Sequence, residues 1–252
     1  MSDNNAKLSG RRILVTGAAS GIGRATAELF HEQGARLGLI DCDAAGLKET
    51  GDKLEAETAC IDLGQEPAIA PAVKRIAEAL GGLNGVVNCA GVGAGAMLEN
   101  LESAYWAHVL AINLTAPYAV CRAALPWLRA ANGGTIVNIA SAQALLPNTP
   151  GVSVYAASKG GLVAFTKALA AELAPTIRAN IVCPGVTLTK MTESSLLKGY
   201  KRPEEAPFVK SYAMKRVAQP REIAEAILFL TSNASSFVTG ATLAVDGGRS
   251  FH

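Results

Sequence analysis

Arg12-Ile13-Leu14-Val15-Thr16-Gly17-Ala18-Ala19-Ser20-Gly21-Ile22-Gly23 is the stretch that decides the fold. Its first five residues form a short, β-branched apolar run, the pattern of a strand buried on both faces. Glycines then stand at 17, 21 and 23, and Arg24-Ala25-Thr26-Ala27-Glu28-Leu29-Phe30 follows as a good helix former. Strand, glycine turn and helix are the local order a dinucleotide site requires. Glycine lets the backbone pass close to a pyrophosphate, and a helix N-terminus turns free N–H groups and positive dipole toward it. The spacing is G-x-x-x-G-x-G rather than G-x-G-x-x-G, so a turn that merely packs helix on strand stays open as the alternative.

Working outward, the same alternation continues almost to the end of the chain. A second strand over Ala35 to Ile40 ends at Asp41, a third runs from Thr58 to Asp62, and a helix covers about Glu66 to Leu80. Gly85 to Asn88 and Thr135 to Ile139 read as the fourth and fifth strands, followed by helices at about 102–130 and 154–174. Arg178 to Val182, a helix from Arg221 to Thr231, and Thr242 to Val245 complete the series. Such alternation specifies an α/β fold: a Rossmann-type doubly wound parallel sheet of about seven strands with helices on both faces. No repeat, linker or low-complexity tract interrupts it, so one dinucleotide-binding catalytic domain over 1–252 is expected. The irregular stretch at about 186–213 has the length of a lid or binding loop.

Composition narrows the function classes. Half of the 252 residues are hydrophobic and 17% are charged, with a formal net charge of +2. That balance gives no electrostatic case for nucleic acid or an anionic membrane. The five cysteines, at 42, 60, 89, 121 and 183, are odd in number and lack C-x-x-C spacing. Disulfides and zinc are therefore not expected, and a reducing compartment is. The three histidines are dispersed, so no metal site is expected. The first ten residues are polar and no uninterrupted apolar run is long enough to span a bilayer. The expectation is a cytoplasmic protein.

Ligands of such sheets bind at the carboxyl ends of the strands. Asp41 there can accept hydrogen bonds from adenosine ribose hydroxyls and repel a 2′-phosphate, which points to NAD; neither Ser20 nor Cys42 offers an opposing positive charge. Capping of the following helix by Asp41 or Asp43 is the competing use. Asp62, with Leu63 beside it, stands ready for the adenine or for a helix cap. Asn88-Cys89-Ala90-Gly91 is a polar turn able to line a cofactor. Tyr155 and Lys159 are four residues apart in a helical segment and share one face. A free tyrosine titrates near 10, and a cation held close favours its phenolate, so the pair can make an acid/base catalyst. Ser141, after the fifth strand, can orient a substrate oxygen against that phenol.

Together these residues resemble the short-chain dehydrogenase/reductases of the single-domain type, about 250 residues long. The resemblance rests on Thr16–Gly23, Asp62, Asn88–Gly91, Asn113, Ser141, Tyr155–Lys159, Pro184-Gly185 and Asp246-Gly247-Gly248. It implies that Asn113, Ser141, Tyr155 and Lys159 are catalytic, with Tyr155 moving the hydroxyl proton while hydride passes to nicotinamide. It implies that Lys159 lowers the Tyr155 pKa and bonds the nicotinamide ribose, and that Asn113 holds a water beside Lys159. For the cofactor it implies Gly17, Ser20, Gly21, Ile22, Gly23, Asp41, Asp62, Leu63, Asn88, Ala90, Gly91, Tyr155, Lys159, Pro184, Gly185, Val186 and Thr187. Two departures stand out: Cys89 replaces the family's usual second Asn, and Ser141 precedes Tyr155 by one residue more than usual. The added residue is expected to bulge the loop between Gln143 and Gly151.

For substrate, Gly93, Gln143, Leu145 and Met191 are the candidates, in a wall that also takes in Ala94, Gly95, Leu146, Val152 and the lid. The lid mixes Leu196, Leu197, Tyr200, Phe208, Val209 and Tyr212 with Lys190, Lys198, Lys201, Arg202 and Lys210. An apolar wall with few polar groups suits a medium-sized secondary alcohol or ketone. The expected activity is NAD-dependent alcohol–ketone interconversion. An NADPH-dependent 3-oxoacyl-thioester reductase and a non-catalytic dinucleotide-binding protein are the alternatives. The 154–174 helix is small or apolar nearly all round, which implies burial on more than one side. The resemblance implies a homotetramer.

Overall fold

The alternation closes into a seven-stranded parallel sheet in the computed structural model, which describes residues 6–93, 95–131, 133–196 and 203–250. Strands β1 (Arg12–Thr16), β2 (Arg36–Asp41) and β3 (Glu57–Cys60) form one wing. The other holds β4 (Gly85–Asn88), β5 (Gly134–Ile139), β6 (Ile177–Pro184) and β7 (Thr242–Val245). The order is β3-β2-β1-β4-β5-β6-β7, so the direction of winding reverses between β1 and β4 and opens a crevice there. In register, Thr16 lies beside Ile40 on one side and Asn88 on the other.

Side-chain alternation along the strands builds two cores. Leu14, Val86 and Ile136 face helices α3 (Glu66–Leu80) and α5 (Ala116–Ala130), meeting Ile69, Val73, Ile76, Val120 and Leu128. Ile13, Val15, Val87 and Val137 face α1 (Gly21–Glu32) and α10 (Pro220–Thr231), meeting Phe30, Ile223 and Ile227. The remaining helices are α2 (Ala44–Leu54), α4 (Ser103–Leu110), α6 (Ala142–Leu145), α7 (Ser153–Leu173), α8 (Lys190–Leu196) and α9 (Pro207–Lys210).

Two expectations change. The third strand ends at Cys60, because Asp62 turns back to accept the Gly64 N–H at 2.8 Å. The 102–130 helix carries a π turn over Ala111–Thr115. Pro117 explains it: its ring would meet the carbonyl four residues back in an α-helix, and one added residue per turn relieves the clash. Counted through that turn, Ser103–Ala130 does have the length and apolarity to cross a bilayer, although half of its apolar window is buried against the protein. Within one chain α7 buries one face, through Val154, Ser158, Leu162, Thr166, Ala170 and Leu173, and leaves Ala157, Ala164 and Ala168 exposed.

Gly38 tests how tightly β2 meets α3. A Cβ placed there would stand 2.1 Å from the Ile76 side chain, which is fully buried. Gly38→Ala is expected to lower unfolding free energy by about 1–3 kcal/mol through overpacking. An unchanged urea midpoint would show that α3 yields freely.

Candidate active site

The crevice at the reversal point is lined from four sides and offers about 310 Å³. One wall is the turn between β1 and α1. Gly17 has φ +70°, and a Cβ on it would stand 2.7 Å from the Ala90 nitrogen; a Cβ on Gly23 would stand 2.0 Å from the Gly17 carbonyl. These contacts bring β1, β4 and α1 within backbone distance. Ser20 is the N-cap of α1, yet its side chain makes no capping bond. The first-turn N–H groups of a helix have no intrahelical partners, and here Ser20, Gly21 and Ile22 line the crevice. A doubly negative pyrophosphate matches that donor set.

At the far end stands Asp41. Its Oδ2 accepts the Ala19 N–H at 2.9 Å and its Oδ1 the Asp43 N–H at 3.0 Å. Asp43, not Asp41, caps α2, accepting from the Gly46 N–H at 3.1 Å. Asp41 is thus braced rather than spent, since a carboxylate has about four acceptor positions. A ribose diol fits it. Asp62 and Leu63 line the same end, and Asp62 is not a cap either, because Gln65 begins α3.

The opposite end gathers Ser141, Tyr155 and Lys159. Ser141 caps α6, its Oγ accepting the Gln143 N–H at 3.1 Å, which leaves the hydroxyl hydrogen to donate. The Lys159 ammonium is 4% exposed and donates to the Ile139 carbonyl at 2.8 Å. Burial draws its pKa down to about 8, and burial pushes the Tyr155 phenol above its ordinary value while Ser141 pulls the other way. Desolvation is the larger influence on the phenol. Asn113 sits in the π turn, fully buried. Its Oδ1 accepts the Val92 N–H at 2.8 Å, and its amide donates to the Val92 carbonyl at 3.0 Å and Ser158 Oγ at 3.2 Å. A Cβ on Gly91 would lie 3.2 Å from both Asn113 Oδ1 and Lys159 Nζ. Asn113 thus stands behind the crevice wall, beside the ammonium.

Gly17, Ser20, Gly21, Ile22, Gly23, Asp41, Asp62, Leu63, Ala90, Gly91, Ser141, Tyr155, Lys159, Pro184, Gly185, Thr187 and Met191 all line the crevice. Six expected residues do not: Asn113, which stands behind the wall as described, and five others. Asn88 is 2% exposed and donates to Asn138 Oδ1 at 2.8 Å, because strand alternation turns it into the α5 core. Val186 gives its N–H to the Tyr212 hydroxyl at 3.3 Å and lines a separate cavity behind the lid. Gln143 donates to Thr149 at 2.8 Å, closing its own loop, and Leu145 is 38% exposed outside the crevice. Gly93 touches the site only through Met191, which a Cβ there would meet at 3.5 Å. Within the lid, Val209 and Tyr212 are buried rather than pocket wall. Ala94, Leu197, Lys198, Tyr200, Lys201 and Arg202 lie outside the described residues.

The lid brings Thr189 and Thr192, which the sequence reading misses, together with Lys190, which it places among the lid cations. Thr189, Lys190 and Thr192 line the crevice, and a Cβ on Gly21 would stand 3.1 Å from the Thr189 methyl. Lys190 Nζ reaches to 4.0 Å from Asp43 Oδ2. Their signal in the sequence is the run of hydroxyl residues and a lysine just after Pro184-Gly185.

Comparison with known proteins agrees with this geometry. A family model described as enoyl-(acyl carrier protein) reductase matches residues 17–250. The chain is 34% identical to 2-(S)-hydroxypropyl-CoM dehydrogenase 3 of Xanthobacter autotrophicus, covering 96% of this chain and 97% of that protein. It is 35% identical to the 3-oxoacyl-[acyl-carrier-protein] reductase FabG of Thermotoga maritima, covering 96% and 98%. A solved short-chain dehydrogenase of Burkholderia cenocepacia, in complex with NADP, superposes with a TM-score of 0.89 at 30% identity, covering 97% and 100%.

The buried ammonium makes a testable claim about stability. Below about pH 8 native and unfolded chains both hold the Lys159 proton, and the fold bears the full cost of burying it. Between about 8 and the ordinary 10.5 the unfolded chain holds more protons, so stability rises with pH. That gain should be on the order of 2–4 kcal/mol and should be missing in Lys159→Met. Parallel pH slopes for the two proteins in urea unfolding would count against a buried charge.

Proposed function

The chain belongs to the short-chain dehydrogenase/reductase family, and on that premise we propose that Tyr155 is the general acid/base of an NAD-dependent alcohol–ketone interconversion. The observation that carries this reading is the convergence of Ser141, Tyr155 and Lys159 on one end of a crevice whose other end holds Asp41. A nicotinamide dinucleotide bound along that crevice supplies the hydride acceptor in oxidation and the donor in reduction. The chain's own residues do the rest. Helix α1 and Ser20 hold the pyrophosphate, Asp41 the adenosine ribose, and Thr187 closes the nicotinamide side.

Ser141 keeps its O–H for the substrate oxygen while its Oγ is fixed by the Gln143 N–H. Tyr155 removes the alcohol proton in oxidation and returns it in reduction. Lys159, pinned to the Ile139 carbonyl, supplies the fixed positive charge that favours the phenolate at the moment of transfer. Asn113 holds Val92 and so the wall against which Lys159 rests. The apolar side of the crevice, with Val92, Ile139, Ala140 and Met191, suits a small-molecule secondary alcohol or ketone.

NADPH-dependent reduction of an acyl thioester is the second reading, favoured by the FabG relative and by the lysine that the lid brings to the ribose end. The carboxylate of Asp41 favours NAD. For assembly, we propose a homotetramer. Tyr118 is 39% exposed on α5 and packs edge-on against Phe165 of α7, beside the small exposed alanines. Such a face suits a four-helix contact with a second subunit. Light scattering showing a monomer at micromolar concentration would contradict it.

Tyr155→Phe should leave NAD binding near normal and reduce turnover by roughly a thousandfold or more, judged by the usual scale of acid/base catalysis. Near-normal turnover would overturn the assignment. Asp41→Ala should weaken NAD and narrow or reverse the NAD-over-NADP preference in kcat/KM. No change in that ratio would remove Asp41 from the ribose site.

A further inference from the structure

The ribose end of the crevice carries a cation that the local sequence does not supply. Lys190 comes from the first turn of α8, almost 150 positions from Asp41 in the chain. The lid crosses the mouth of the crevice at Thr189, against Gly21, and this crossing sets Lys190 Nζ 4.0 Å from Asp43 Oδ2. Asp43 in turn gives its N–H to Asp41 Oδ1 at 3.0 Å. One residue therefore separates the ammonium from the carboxylate assigned to the ribose.

The surrounding charges isolate this lysine. Lys159 and Lys190 are the cations among the described residues lining the crevice, and Lys159 is buried at the opposite end. Arg24, on the outer side of the same corner, is engaged by Glu49 at 2.5 Å and Glu28 at 3.4 Å. Asp41, Asp43, Asp62 and Glu49 are all acidic, so with Arg24 held in its ion pairs the corner without Lys190 is predominantly negative and repels a phosphate. The Lys190–Asp43 pair is loose: its side chains are 76% and 46% exposed. Pairs of that kind hold weakly in solvent, so the ammonium can exchange Asp43 for another anion without unfolding anything.

We propose that Lys190 is a specificity-determining residue of the adenosine site, which meets a 2′-phosphate when one is present and sets how strongly the corner prefers NAD over NADP. The proposal rests on the reading of the crevice as a nicotinamide dinucleotide site and deepens it. Asp41 and Lys190 act in opposition: the carboxylate accepts the 2′-hydroxyl, and the lid cation cancels part of the repulsion that a 2′-phosphate meets. A fixed positive charge within about 5 Å of a solvated dianion is worth roughly five- to tenfold in affinity. If Lys190 serves only to clamp the lid, its loss weakens every adenine nucleotide alike.

Calorimetric titration of the full chain with adenosine 5′-monophosphate, adenosine 2′,5′-bisphosphate, NAD and NADP separates these cases without reading turnover. Lys190→Met should weaken the bisphosphate and NADP about five- to tenfold while shifting the monophosphate and NAD by less than about twofold. Asp43→Asn keeps a good N-cap residue on α2 and frees the ammonium, so it should tighten the bisphosphate. That gain should be several-fold smaller in the double variant Asp43→Asn, Lys190→Met, where only the loss of the Asp43 charge remains, and raised salt should erase it in the single one. Equal losses for all four ligands in Lys190→Met, or a gain from Asp43→Asn that is just as large without Lys190, would overturn the proposal and leave the dinucleotide reading intact. Failure of the parent chain to bind any of the four ligands would overturn both.

Discussion

The contact between Gly23 and the Gly17 carbonyl is the constraint from which the rest of the site follows. A methyl group has no room there, nor on Gly17 against Ala90. Because the backbone of β1 turns directly across the end of β4, helix α1 starts inside the crevice rather than above it. The unpaired N–H groups of its first turn then face the cavity, and the Ala19 N–H is free to fix Asp41. One steric requirement thus orders the phosphate donors and the ribose acceptor together. The unbonded side chain of Ser20 is a further consequence, since an N-cap that does not close on its own helix is available to a ligand.

Behind the other end of the crevice runs a buried polar framework. Asn88 bonds Asn138, Asn138 donates to Thr166 at 2.8 Å, and Thr166 donates to the Leu162 carbonyl. This chain pins α7 to β4 and β5, while Asn113 ties the π turn to Ser158 on the same helix. Buried networks of this kind fix one arrangement because every unpaired member is costly. Their effect is to hold Tyr155 and Lys159 at set positions on α7 while burial opposes both charged forms. The phenol is pushed up and the ammonium down. In such a site the proton moves where a transient charge is stabilised, and the rigid placement of Lys159 against Ile139 means that no reorganisation is needed when it does.

How much of this the sequence discloses depends on the range over which each signal acts. The strand–turn–helix at 12–30 and the Tyr155–Lys159 pair are local patterns, and the structure keeps both as read. The parallel sheet follows from alternation alone. Asn88 shows the first kind of failure: its position at a strand end is legible, but which face it takes depends on register with Asn138, fifty residues on. The π turn is a second kind, where Pro117 announces an interruption without saying which geometry relieves it. Asp41 is a third. Two aspartates stand two residues apart, and only folded geometry assigns the cap to Asp43 and the crevice to Asp41. Lys190 is legible as a lid cation, but its place beside Asp43 is set by the path of the lid.

Of the two departures from the family pattern, the longer Ser141–Tyr155 interval lies on the substrate side, and the structure shows where the added residue goes. The longer interval between Ser141 and Tyr155 is taken up by the short helix α6 and a loop closed internally by Gln143 on Thr149. Arg249 reaches back from the chain's end to the Leu146 carbonyl at 3.0 Å, so the loop is held from outside as well. Gly151, at φ +79°, then receives the Ala96 N–H on its carbonyl at 2.9 Å, tying the loop to the segment after β4. The added residue therefore goes into a braced rim and not into the reacting groups. Ser141 and Tyr155 keep their common edge of the crevice because each is anchored to its own element, Ser141 at the end of β5 and Tyr155 on α7. Chemistry and selectivity are thus mechanically separate here. The proton-transfer end is fixed by the polar framework, whereas the rim beyond Ser141 can change length without moving it.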